Sequence, residues 1–401
     1  MRFVVWSSRS RRNAVVVVSA ILAIVVLVAF VYVQVLPNSG GKEPDVYVGV
    51  DVAYGDEADV YQVANAVKGY ANLIVLGSLM VTNNTEKLTR VCEYLYQNDF
   101  SFIIYVGFAQ MEFLPPQGPN PHFFNTTVKK WGDKFLGAYV FDEAGGKQVD
   151  VRNETISRPV SHADNSSHAA ELYAFTIRCF LDFYRLDYYD APNLHLYTSD
   201  YALYWYDYLG GYDVIFGEFV GNQSRQLAVS LCRGAARMQG KEWGTMITWK
   251  YNQEPFLESA DELYADMVLA YQNQARYIVI FNSSENFTSP TAHGTLTPDH
   301  FDAMQRFWNY AKSNPRSDSY PADTAYVLPT DYGYGFRSAE DNLWGLWPAD
   351  ALAPRIWNDT NSLLATYGLK LDVVYETLTQ GHPVELPYDK LIYWNGTVIE
   401  K

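Results

Sequence analysis

Cysteine is scarce in this chain: three among 401 residues, Cys92, Cys179 and Cys232. Three thiols cannot build a disulfide framework. Neither CxxC nor HExxH spacing occurs, which removes the common zinc sites, and no residue pattern calls for a metal or an organic cofactor. Each cysteine lies in a helix-like run beside apolar neighbours, so each reads as a small core hydrophobe. Basic residues are outnumbered, with 30 Lys and Arg against 45 Asp and Glu and a formal net charge of −15. Nucleic acid needs basic patches and is excluded as a partner on that balance. No Gly-x-Gly-x-x-Gly comes after the apolar run at Val46–Val52, which argues against a dinucleotide-binding open sheet.

Runs long enough to span a bilayer are absent with one exception. Ala14 to Leu36 is uncharged and apolar, and Arg2, Arg9, Arg11 and Arg12 precede it. About 20 apolar residues cross a membrane, and flanking arginines stay on the cytoplasmic side. The run is longer than the apolar core of a cleaved signal peptide, and no small-residue cleavage site comes after it. The expected order is a basic cytoplasmic tail (1–13), a single transmembrane helix (14–36), a polar stalk (37–44) and everything beyond it outside the cell. Asn-x-Ser/Thr occurs at Asn83, Asn125, Asn153, Asn165, Asn222, Asn282, Asn286, Asn358 and Asn395. Chance supplies roughly three such sites in a chain of this composition, so the excess agrees with a glycosylated exterior protein.

Beyond the stalk the chain alternates between two patterns. Short apolar runs at Val46–Val52, Asn72–Gly77, Phe102–Gly107, Leu136–Phe141, Leu194–Ser199, Asp213–Glu218, Gly244–Trp249 and Tyr277–Asn282 read as strands. Between them lie segments of about 3.6-residue periodicity, such as Glu86–Gln97, Ala169–Arg185, Gln223–Met238 and Ala260–Gln274. Strands alternating with helices form parallel βα units, and eight units over roughly 270 residues predict a (β/α)8 barrel at 45–313. A helix at Pro298–Lys312 and a polar linker at Ser313–Asp323 close it. Strand-like runs at Thr324–Leu328, Leu371–Tyr375 and Lys390–Trp394, with a helix at Pro354–Tyr367, predict a small C-terminal α/β domain at 324–401. The Tyr332-Gly333-Tyr334-Gly335-Phe336 loop is too short and too aromatic for a phosphate cradle and reads as a packing loop.

The segment Gly137–Gly146, GAYVFDEAGG, ends an apolar strand in two adjacent acids, Asp142 and Glu143, before an expected Gly-Gly turn. Unpaired buried carboxylates are costly, but the C-terminal mouth of a parallel barrel is where enzymes keep catalytic acids. The other strand ends bring Asp51, Tyr105, Asp200, Glu218, Trp249, Lys250, Tyr251 and Asn282 to the same mouth. Glycoside hydrolysis needs one protonated and one ionised carboxyl group, and aromatic walls suit sugar rings. Glu143 and Glu218, two strands apart, form the preferred catalytic pair, with Asp142 beside them. Asp51, Tyr105, Trp249, Lys250, Tyr251 and Asn282 are candidate substrate contacts. An ion pair between Glu218 and Lys250 is the competing structural reading. The segment Ala144–Ser167, about 24 residues, reads as a long loop over the mouth.

The eight-unit barrel with Asp142-Glu143 after strand four resembles the TIM-barrel glycoside hydrolases, and the tail resembles their accessory domains. The best-known retaining group carries Asn-Glu after strand four and a second Glu after strand seven. Here Asp stands in place of that Asn, strand seven ends in Trp249-Lys250-Tyr251, and the nearest acid there is Glu254. With the N-terminal run and the sequons, the resemblance implies a membrane-anchored, extracellular glycoside hydrolase acting on surface or environmental glycans, with carbohydrate and membrane as its partners. The alternative is a non-catalytic, glycosylated cell-surface or envelope protein that binds sugar or a protein partner.

Overall fold

Each of the eight apolar runs forms a strand in the computed structural model, which describes residues 43–107, 118–150, 156–282, 295–317, 319–379, 382–383 and 386–401. The strands are β1 (Tyr47–Asp51), β2 (Leu73–Leu76), β3 (Ser101–Val106), β4 (Phe135–Val140), β5 (Leu196–Asp200), β6 (Val214–Phe219), β7 (Glu242–Ile247) and β8 (Tyr277–Phe281). They close in sequential order into a parallel barrel. Closure is explicit in the pairing of β1 with β8, from Tyr47 opposite Tyr277 to Asp51 opposite Phe281. Strands covered on both faces carry continuous apolar runs, and all four residues of β2 are buried.

The barrel interior is rich in aromatic rings. Tyr139, Tyr197, Phe216 and Tyr277 fill it together with Leu73, Val75, Ile103, Val214, Met246 and Val279. Rings of this size need space, and Gly244 supplies some of it. A Cβ there would lie 2.7 Å from Tyr277 Cβ and 2.8 Å from the Phe216 ring. The phenol oxygens of Tyr197 and Tyr277 are 3.2 Å apart, which satisfies polar atoms that burial would otherwise penalise.

The tail builds a second sheet from β9 (Thr324–Leu328), β10 (Leu371–Tyr375), β13 (Lys390–Tyr393) and β14 (Val398–Glu400), in the order β10-β9-β13-β14. Between them β11 (Leu378–Thr379) and β12 (His382–Pro383) pair as a short antiparallel ribbon. Pro44–Lys401 is one compact unit. The tail sheet joins the barrel through the Arg225–Met238 helix, whose Arg233 is 1% exposed and bonds Asp372 of β10 at 2.8 Å. Tyr320 and Tyr388 hydroxyls each donate to the second oxygen of Asp372 at 2.8 Å. Arg233 also donates to Asn273 Oδ1 and the Leu369 and Leu371 carbonyls. A buried pair is tolerable when its remaining donors and acceptors are met in this way. Tyr332, Tyr334 and Phe336 are all buried, and Gly333 lies against the Trp344 ring.

Expectations change at Cys179 and in the Ala144–Ser167 segment. Cys179 is exposed, because the Ser166–Asp182 helix turns that position outward, while Cys92 and Cys232 are buried. Gly145 and Gly146 are the first turn of a helix, Ala144–Asp150, and a second short helix, Ser157–Val160, lies further along the segment read as one loop. The glycines are there for contact: a Cβ on Gly145 would lie 2.3 Å from the Ala202 carbonyl oxygen. Among the described residues no helix is long and apolar enough to cross a membrane. The Ala14–Leu36 run lies outside them, as do Asn153 and Asn286.

Candidate active site

Strand alternation decides which side chains enter the barrel. On β6, Val214 and Phe216 belong to the interior, so Glu218 is the next inward residue, at the mouth and 4% exposed. The same parity places Asp51 above Tyr47 on β1, Tyr105 above Ile103 on β3 and Ser199 above Tyr197 on β5. Asp51 is 4% exposed and Ser199 is fully buried.

Strand β4 leaves this pattern at its end. Phe141 and Glu143 adopt left-handed φ values of 61° and 53°, which costs of order 1–3 kcal/mol at each non-glycine position. Surrounding hydrogen bonds hold them there. The Phe141 carbonyl accepts from Thr198 Oγ1 at 2.8 Å, the Glu143 N–H donates to the Ser199 carbonyl at 3.0 Å, and Lys147 Nζ donates to the Asp142 carbonyl at 2.9 Å. A regular strand would send adjacent acids to opposite faces. Here Asp142 and Glu143 both act on Glu218.

The acids are linked by two hydroxyls. Ser199 Oγ lies 2.6 Å from Glu218 Oε1, 3.1 Å from Asp142 Oδ1 and 2.8 Å from the Tyr139 hydroxyl. Tyr139 donates to Asp142 Oδ1 and accepts from the Ser199 N–H at 3.2 Å. Burial pushes the Glu218 carboxyl well above its ordinary range, and the negative charges of Glu143 and Asp142 push it further. Glu218 therefore holds a proton at a pH where an exposed glutamate has lost it. Glu143 is about one-third exposed, with Lys147 Nζ 3.9 Å away. Asp51 is also raised, first by burial and then by Asp142, against the opposing pull of the Gly77 N–H. Its Oδ1 has no hydrogen-bond partner among the described residues, and a Cβ on Gly77 would lie 2.4 Å from that oxygen. A buried carboxyl oxygen left unpaired at a barrel mouth is suited to a ligand hydroxyl.

The phenols of Tyr54, Tyr105 and Tyr201 surround the acids. Burial raises each of them first, and Asp142 or Glu143 adds to it. Trp249 is half-buried, its ring 5.8 Å from Phe281, and Tyr251 is 42% exposed.

Other expected mouth residues sit elsewhere. Lys250 Nζ bonds Glu262 Oε1 at 2.5 Å. Glu262 caps the Ala260–Gln272 helix in a capping box with Ser259, which draws the lysine outward to a helix N-terminus. Glu218 takes the Ser199 hydroxyl instead, so the Glu218–Lys250 ion pair does not form. Asp200 accepts backbone N–H groups from Gly145, Gly146, Tyr201 and Ala202 at 2.5 to 3.0 Å. Burial still pushes its carboxyl up to about 6, and its role is to fix the start of the Ala144–Asp150 helix. Asn282 is 7% exposed, and its Oδ1 accepts from the Thr295 and Leu296 N–H groups at 2.8 and 3.2 Å. Glu254 is exposed. No sequence motif marks Ser199 or Tyr139. Their parity with Tyr197 and the break at Phe141 are the signals that locate them.

No protein-family model and no curated protein sequence matches the chain. Solved structures do. A polyextremophilic beta-galactosidase from the Antarctic haloarchaeon Halorubrum lacusprofundi is similar at 10% identity and a TM-score of 0.51, over 87% of this chain and 69% of that one. A GH5_18 protein from Streptomyces cattleya, in complex with GlcNAc, is similar at 11% identity and 0.52, over 88% of this chain and 100% of that one. An exo-beta-1,4-mannosidase from Opitutaceae bacterium strain TAV5 is similar at 11% identity and 0.50, over 87% and 72%. At such identities the likeness concerns architecture alone: this chain has an eight-stranded parallel (β/α)8 barrel, the fold of these neighbours.

Proposed function

We propose that this protein is a glycoside hydrolase whose catalytic pair is Glu218 and Glu143, assisted by Asp142. The observation that carries it is a buried glutamate, 4% exposed and raised by burial, beside a second, about one-third exposed glutamate at one barrel mouth. Glu218 is buried and raised while Glu143 is partly exposed to solvent and lies near Lys147, and glycosidic bond cleavage requires one protonated and one ionised carboxyl group. Glu218 donates its proton to the departing glycosidic oxygen as the C–O bond breaks. Glu143, beside the Lys147 ammonium, attacks the anomeric carbon or takes the proton of an attacking water. The unpaired Asp51 Oδ1 accepts from or donates to a ring hydroxyl, and Tyr105, Trp249 and Tyr251 supply apolar faces for sugar rings.

The proposal extends to place. The apolar run at 14–36 anchors the chain in a membrane with the barrel outside, where it acts on surface or environmental glycans. Support comes from the arginine cluster and from the exposed sequons at Asn83, Asn165, Asn222, Asn358 and Asn395. Protease added to intact cells is expected to digest the chain beyond Pro37 and spare the N-terminus. Recovery of the full chain in soluble cytosol would end that part of the reading. For catalysis, Glu143→Gln and Glu218→Gln are each expected to lower turnover by about 10²- to 10⁴-fold or more while sugar binding persists. Wild-type turnover in both variants would exclude this pair.

A further inference from the structure

The general acid of a hydrolase must be stable in two charge states, protonated before bond cleavage and ionised after it. Water normally stabilises the ionised form, but Glu218 is 4% exposed and faces Asp142, Glu143 and Asp200, all of its own sign. The other titratable groups against it are the phenols of Tyr139, Tyr201 and Tyr204. Lys147 is engaged with Glu143 and the Asp142 carbonyl. Of the two hydroxyls that link the acids, that of Ser199 touches Glu218 directly. Ser199 Oγ is within hydrogen-bond distance of Glu218, Asp142 and Tyr139 at once, at 2.6, 3.1 and 2.8 Å.

Among the arrangements that use every donor, two differ in the direction of the serine hydroxyl. With Glu218 protonated, its O–H donates to Ser199 Oγ, the serine hydroxyl donates to Asp142, and Tyr139 donates to Asp142 as well. With Glu218 ionised, the serine hydroxyl swings to donate to Glu218 Oε1 and Asp142 keeps the Tyr139 hydroxyl. No heavy atom moves between the two. The Ser199 backbone is fixed by its N–H to Tyr139 and its carbonyl to the Glu143 N–H, so only the hydroxyl proton turns.

We infer that Ser199 is a positioning residue whose hydroxyl rotates between Asp142 and Glu218 and so stabilises the general acid in both of its charge states. The inference rests on the proposed hydrolase function. In the chemical step the Glu218 O–H turns from Ser199 Oγ to the glycosidic oxygen and passes its proton there, the C–O bonding pair goes with that oxygen, and Glu218 becomes a carboxylate that takes up the Ser199 hydroxyl. Ser199 loses no proton in the cycle; it changes the partner to which it donates. Tyr139, already donating to Asp142, keeps that acid satisfied while the serine is turned away.

The test reads Glu218 directly. The carboxyl carbon of Glu218 is tracked by ¹³C NMR through a pH titration of the full chain in detergent, as wild type, Ser199→Ala and Ser199→Cys. A hydrogen bond to an ionised group lost at a buried site moves the titration midpoint up by about one to two pH units. The expected order is Ala highest, Cys between, since a thiol is a weak donor, and wild type lowest. If the chain turns over a glycoside, the alkaline limb of its pH–rate profile shifts up in the same order and kcat falls while KM holds. A midpoint in Ser199→Ala equal to or below that of wild type overturns the rotor. The NMR measurement does not depend on turnover, so a shifted midpoint without any hydrolysis refutes the hydrolase reading and leaves the serine switch standing.

Discussion

Replacing Glu218 by Gln keeps the shape of the side chain and removes its titration. In the folded protein the carboxyl is raised by burial and by Glu143 and Asp142; in the unfolded chain it titrates near the ordinary value of about 4.5. The folded state therefore binds one more proton between those two values. The stability contributed by this group is fully present below about pH 4.5 and is lost as pH rises through the folded pKa. The slope is about 1.4 kcal/mol per pH unit, or about 2 °C of melting temperature per unit for a protein of this size. Glutamine has no such slope. The difference in melting temperature, wild type minus Glu218→Gln, should fall from about pH 4.5 upward and then level off. Asp51, Asp200 and Glu258 also titrate from raised values, but they are present in both proteins and largely cancel. Parallel melting curves from about pH 4.5 to about 9 would refute the claim that Glu218 is held protonated.

Arg233→Met leaves Asp372 buried without its guanidinium and should cost about 3–5 kcal/mol in denaturant unfolding, with Arg233→Met/Asp372→Asn recovering part of it. Gly145→Ala puts a Cβ 2.3 Å from the backbone oxygen of Ala202; it should destabilise by about 1–3 kcal/mol and reduce turnover, because the helix start positions Glu143. Glycopeptide mass spectrometry should find Asn282 largely unmodified, since its side chain is buried and caps Thr295 and Leu296. High occupancy there would contradict that packing. The exposed Asn83, Asn222 and Asn358 are expected to be used.

The barrel was legible because parallel strands buried on both faces leave unbroken apolar runs, and β9 and β10 were legible for the same reason. What escaped was local and tertiary. Gly145 and Gly146 look like a turn in sequence, yet they open a helix, since small residues there let the chain approach Ala202 and Tyr201. Lys250 looks like a partner for Glu218 across adjacent strand ends, and β6 and β7 are indeed adjacent. The Ser259–Glu262 capping box competes for it, and that competition depends on loop geometry. Ser199 was invisible because a buried serine in a strand carries no motif; only the left-handed turn at Phe141 and Glu143 brings Asp142 to it. Acids at strand ends thus announce a site, while the neutral groups that tune them need coordinates.

Hydrolysis itself is the most direct test. The full chain is offered a panel of aryl glycosides and surface oligosaccharides, and released sugar is measured for wild type, Glu143→Gln, Glu218→Gln and the double variant. The account predicts that wild type cleaves at least one member, and that each single variant cleaves it at least about 100-fold more slowly. The double variant should be little slower than the worse single one, because the two groups act as a unit. Cleavage at an equal rate by wild type and the double variant, or no cleavage of any panel member by a wild-type protein that binds them, would contradict the assignment of Glu143 and Glu218 as a catalytic pair.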